Sequence, residues 1–170
     1  MEQKSVSHFL AGGILASLVI LYSVILILTD QLQNQQLALV TYVIIIGCLV
    51  YFIREFGKSV DFNASFGKLF SFGFKATAFA TILMLAFQVI LNLIFPELKD
   101  QMIEAARQKM SEDPRVTEDA IDMSSDFLLK TYWPLLIAGT IFGSLVVGAI
   151  GSLIGAAVTK KNPQTPFQQQ

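Results

Sequence analysis

The sequence predicts an all-α integral membrane protein: four transmembrane helices arranged as two antiparallel hairpins, with a polar helical insert between spans three and four. Three observations predict it. Of 170 residues, 54% are hydrophobic and only 15% charged, against roughly a quarter charged in soluble proteins. The apolar residues gather into four long runs. One long polar stretch, residues 96–130, holds nine of the thirteen acidic residues: Glu97, Asp100, Glu104, Glu112, Asp113, Glu118, Asp119, Asp122 and Asp126. The length suits a single membrane domain.

Composition narrows the function classes. A net charge of -1 leaves no basic field for nucleic acid. With one Cys (Cys48) and one His (His8), the chain can form neither an internal disulfide nor a Cys/His metal cluster. Cys48 lies inside an apolar run and reads as a small buried side chain. His8, at the edge of the first run, reads as interfacial.

The first span is expected at residues 9–29. It has no charge and is long enough, at ~1.5 Å per residue, to cross a ~30 Å hydrocarbon layer. The run is too long for a signal-peptide core, its head is hardly basic, and its exit lacks a small-residue cleavage pattern. Gly12, Gly13, Ala16 and Ser17 offer a close approach to a neighbouring helix. A polar loop, residues 30–36, makes a hairpin with the second span, residues 37–53. Tyr51 and Phe52 mark the far end of that span, where aromatic rings favour the interface.

Residues 54–69 alternate charge with Phe. Phe62, Phe66 and Phe70 recur every four residues and are expected on one helix face. With Lys68 they read as anchors in the headgroup layer, rings down and ammonium toward the phosphates. Asp61 or Asn63 is the expected helix cap. The third span follows at residues 72–95, with Lys75 near its start, and Pro96 ends it. Its polar residues Thr77, Thr81, Gln88 and Asn92 form a stripe at helical spacing, led by Gly73.

The insert, residues 96–131, reads as two helical pieces. Leu98, Met102, Ala106 and Met110 give the first a weak apolar stripe. Residues 111–114 break it, and Thr117 caps the second, with Glu118 and Asp119 placed where a helix start favours negative charge. Asp126 and Lys130 have the spacing of a helical ion pair. The fourth span is expected at residues 132–158, opened by Tyr132, the interfacial anchor Trp133 and Pro134 in a first turn. Its small residues Ser144, Gly148, Gly151, Ser152 and Gly155 share one side, and Gly139 and Gly143 form a second small patch. In lipid, close backbone approach at such residues drives helix association. Residues 162–170 read as a disordered Pro/Gln tail.

No phosphate loop, dinucleotide fingerprint, zinc motif or nucleophile elbow occurs, so the chain is expected to be neither an enzyme nor a cofactor binder. The acids of the insert read as a solvated face. The stripe of span three has two readings. It lines a polar path, or its members hydrogen-bond between helices; the absence of acids from the spans favours the second.

Lysine and arginine distribution places both termini inside and the insert outside, by six to five. The expected partners are the lipid bilayer and either a second copy or another membrane protein. The expected role is therefore helix–helix association, as a homo-oligomer or an accessory subunit. The alternative is a small permease or channel component using the stripe.

Phe66-Gly67, Gly73-Phe74-Lys75, Phe95-Pro96-Glu97, the acidic insert and the Gly-rich last span ending in Lys160-Lys161 carry a resemblance over nearly the whole chain. The sequence resembles a family of small bacterial membrane proteins, domain of unknown function 4199. The resemblance implies a four-span protein of the cytoplasmic membrane of Gram-negative bacteria. It implies no activity, cofactor or catalytic residue.

Overall fold

The structure, a computed structural model, describes residues 6–31 and 34–159. Lys160, Lys161 and the tail at 162–170 lie outside the described residues. Among the described residues the secondary structure is five helices and no strand. Four of the helices are long and apolar enough to cross a membrane.

Helix α1 (His8–Leu28) starts where the Ser7 hydroxyl accepts from the Phe9 N–H at 3.2 Å. It stops in a Schellman turn. Asp30 takes a left-handed φ of 53°, and the Gln31 N–H reaches back to the Leu26 carbonyl at 2.8 Å. Helix α2 (Gln35–Ser59) is capped by Asn34, whose side chain accepts from Gln36 and Leu37. It ends in the same device, with Asp61 at φ 50° and the Phe62 N–H on the Gly57 carbonyl at 2.8 Å. A short polar side chain makes the left-handed position less unfavourable than most residues would.

Helix α2 runs past the expected end at residue 53 because Arg54 and Lys58 sit exposed on it, with Lys58 paired to Glu55. This corrects the expectation for Phe62. With φ at 58° it lies in the turn after α2, not on a helix face with Phe66 and Phe70. Helix α3 (Phe66–Ile94) is capped by Ser65, whose hydroxyl accepts from the Lys68 N–H at 3.3 Å. Neither Asp61 nor Asn63 fills that role, since the turn closing α2 occupies both.

Helix α4 (Glu97–Ser111) carries Glu97 and Asp100 in its first turn and Lys109 in its last, matching the helix dipole. None of its residues is buried. Helix α5 (Glu118–Val158) is capped by Thr117 through the Ala120 N–H at 3.4 Å. It is one continuous helix of 41 residues, so Pro134 stands in its interior, not in a first turn. Proline has no N–H to give the Lys130 carbonyl.

The chain divides into two compact units. One comprises the described residues of Met1–Met84 and Phe142–Gln170; the other is Leu85–Ile141. In the first, α1 packs on α2. Its core sets large side chains (Leu15, Leu49, Ile53, Leu69) against small ones (Ala11, Ala76, Ala80, Ala156). Phe56 stacks on Phe72 with ring centres 4.4 Å apart. Small residues among large ones let helices approach closely where no hydrophobic force operates between them.

Candidate functional site

In the first unit, the small residues of α5 meet α2 and α3. A side chain added at Gly148 would collide with Thr77, whose Oγ1 and Cβ lie 2.6 and 2.7 Å from the position a Cβ would take. The same test at Gly151 meets Leu49 at 2.9 Å, and at Gly155 it meets Ile53 at 2.6 Å. Ser152 is fully buried against Gly73, and its hydroxyl has no hydrogen-bond partner among the described residues. Ser144 is half-buried. This side of α5 is thus filled from within the chain. Gly143 differs, as does Gly139 in the second unit: nothing lies within 4 Å of a Cβ at either.

Gly12 of α1 makes a further close approach, facing the Ala76 carbonyl oxygen, and Phe9 meets Phe79 edge-on at 5.1 Å. Of the other small residues of α1, Ala16 is buried and Gly13 is open.

The stripe of α3 does two different things. Thr77 and Thr81 are buried, and each hydroxyl donates to a carbonyl of its own helix, Gly73 at 3.0 Å and Thr77 at 2.9 Å. In the second unit, Gln88 and Asn92 bond to α5. The Thr140 hydroxyl donates to Gln88 Oε1 at 2.8 Å, and the Tyr132 hydroxyl donates to Asn92 Oδ1 at 2.5 Å. Lys99 of α4 sits 5.7 Å from the centre of the Tyr132 ring, within range of a cation–π contact. Sequence reasoning missed Thr140 and Tyr132 as partners. Their one signal was a polar group on the last long helix.

At the start of α5, Ile121, Ser125 and Tyr132 are buried at helical spacing, and the Tyr132 hydroxyl lies 3.8 Å from Met102 Sδ of α4. Arg107 pairs with Asp122 across the two helices. No ion pair joins Asp126 to Lys130 among the described residues, despite their spacing. Glu104, Gln108 and Glu118 help line a groove of about 360 Å³ around the Arg107–Asp122 pair. No cluster of three metal-ligating side chains occurs among the described residues. In the turn between α4 and α5, the Arg115 guanidinium, with the Arg115 backbone N–H second, holds the Asp113 carboxyl below its ordinary range.

Of the expected anchors, Lys68 is exposed and Phe66 is 38% exposed, while Phe70 stacks on Phe74. Trp133 is also exposed and meets Tyr132 edge-on.

Four long apolar helices, with no charged residue among the buried ones of the described residues, define a helical membrane protein. The chain belongs to the family described as protein of unknown function (DUF4199), whose profile matches residues 10–161. No match was found among curated proteins or among solved structures.

Proposed function

We propose that this protein is a non-enzymatic multi-pass membrane protein that works through helix–helix association, as a homo-oligomer or as an accessory subunit. The observation that carries this reading is the use of the polar residues in α3. Thr77 and Thr81 are closed off in the core, and Gln88 and Asn92 are tied to Thr140 and Tyr132. Gln88 and Asn92 brace α3 against α5, while Thr77 and Thr81 turn onto their own backbone, and groups engaged in these ways do not line a water-filled path. Among the described residues no acidic or basic side chain is buried to serve as a proton or ion relay.

The surface offered to a partner differs from the one the sequence suggests. Gly148, Gly151 and Gly155 already have neighbours within the chain, whereas Gly143 and Gly139 present bare backbone. Exposed helix glycines forfeit roughly 1 kcal/mol of propensity each relative to Ala, and close approach of another helix is what such positions provide. In this reading the protein sits in the bacterial cytoplasmic membrane with both termini inside and residues 96–131 outside, as the Lys and Arg distribution favours.

Gentle extraction from native membranes, followed by mass determination of the intact complex, tests the proposal. Multiple copies, or a stoichiometric second membrane protein, are expected, with Gly139→Leu and Gly143→Leu reducing the assembly. A monomer with nothing bound overturns it. The permease alternative predicts instead that Gln88→Leu with Asn92→Leu leaves a folded protein that has lost flux.

A further inference from the structure

We propose that Lys68, Ser71 and Lys75 of α3 form a binding site for the phosphate headgroup of an acidic phospholipid. Spacings of three and four put the three residues on one side of the helix. Lys68 and Lys75 are exposed, and neither joins the ion pairs found among the described residues. The Ser71 hydroxyl makes no hydrogen bond among the described residues. Thr77 and Thr81, on the same helix, turn theirs onto their own backbone. Gly67, one helical turn before Ser71, leaves the space beside Lys68 open, with nothing within 4 Å of a Cβ there.

Lys75 is exposed on a helix apolar enough to span a bilayer, and near a helix end a lysine snorkels its ammonium to the headgroup layer. Helical side chains lean toward the N-terminus, so its four-carbon stem carries the ammonium toward the level of Lys68. The two Cα atoms are roughly 10 Å apart along the axis. Two ammonium groups and a hydroxyl therefore lie along one side of the helix within about three turns.

The same side of α3 continues, two turns below Lys75, into Ile82, which is 63% exposed. Cationic above and apolar below, this surface matches an amphiphile lying along the helix. A free anion would leave the lower part uncovered. The site does not depend on how the protein associates.

The test uses the full chain in detergent micelles supplied with equal phosphatidylglycerol and phosphatidylcholine, with retained lipid counted by native mass spectrometry. Phosphatidylglycerol is expected to be retained preferentially. Lys68→Gln and Lys75→Gln should weaken retention roughly fivefold each and about 30-fold together. Lys68→Arg with Lys75→Arg should preserve it, and so should Arg54→Gln, which removes an exposed cation outside the site. Unchanged retention in the double Gln variant overturns the proposal. Equal loss in Arg54→Gln also overturns it, by showing a diffuse charge effect. Displacement of the lipid by equimolar inorganic phosphate would show a free-anion site and overturn the lipid assignment.

Discussion

Gly148→Ala adds a single methyl group where α5 presses on Thr77. The nearest atom to the new Cβ is Thr77 Cγ2, followed by Oγ1 at 2.6 Å and Cβ at 2.7 Å. Thr77 cannot easily yield: it is 1% exposed, and its hydroxyl is held by the Gly73 carbonyl at 3.0 Å. Overpacking of a closed site destabilises by about 1–3 kcal/mol. Replacing helical Gly by Ala returns roughly 0.8–1.0 kcal/mol of propensity. The expected net loss is therefore about 0–2 kcal/mol. Gly143→Ala, on the same helix with nothing within 4 Å, gains the propensity without the clash and should stabilise by up to about 1 kcal/mol. Reversible unfolding in mixed micelles, titrated with a denaturing detergent, measures both variants against the parent. Thr77→Ser in the Gly148→Ala background removes the nearest colliding atom and should recover part of the loss. Equal midpoints for Gly148→Ala and Gly143→Ala would refute the packing account.

Three further predictions follow from individual contacts. Ser152→Ala deletes a fully buried hydroxyl that has no partner; it should raise stability by about 1 kcal/mol, and a lower unfolding midpoint would count against this. A double-mutant cycle on Gln88→Leu and Thr140→Val should show a coupling of about 0.6 kcal/mol, at most about 1.7, while zero coupling would mean the 2.8 Å bond contributes nothing. The Asp113 carboxyl is held below its ordinary value, first by the Arg115 side chain. A lowered folded value gives stabilisation that is present above the unfolded value and fades as pH falls through the folded one. The turn between α4 and α5 should therefore loosen only under acid below the usual carboxylate range. The effect is small because Arg115 is exposed and Asp113 only partly shielded from solvent, and an NMR titration of Asp113 against Asp113→Asn would detect it.

Element class was legible in the residues because backbone groups in hydrocarbon must bond within their own segment. Long uncharged runs therefore admit little besides helix. Punctuation was harder. Ser65, not Asp61 or Asn63, caps α3, because the left-handed turn after α2 consumes Asp61 and Phe62. The aromatic spacing of Phe62, Phe66 and Phe70 crosses that turn. Pro134 suits a helix start by propensity, yet helix forms on both sides of it.

The sequence by itself determined the helical membrane class, the family and the small-residue side of the last helix, since these rest on composition and on periodicity within one element. Only the tertiary structure decided what each side meets. Gly148, Gly151 and Gly155 are filled by α2 and α3, while Gly143 stays open. Thr77 and Thr81 close on their own helix, while Gln88 and Asn92 reach α5. Helical spacing fixes the angle at which a residue leaves its own axis. It carries no information about which neighbour stands there, and that is set by how the helices pack.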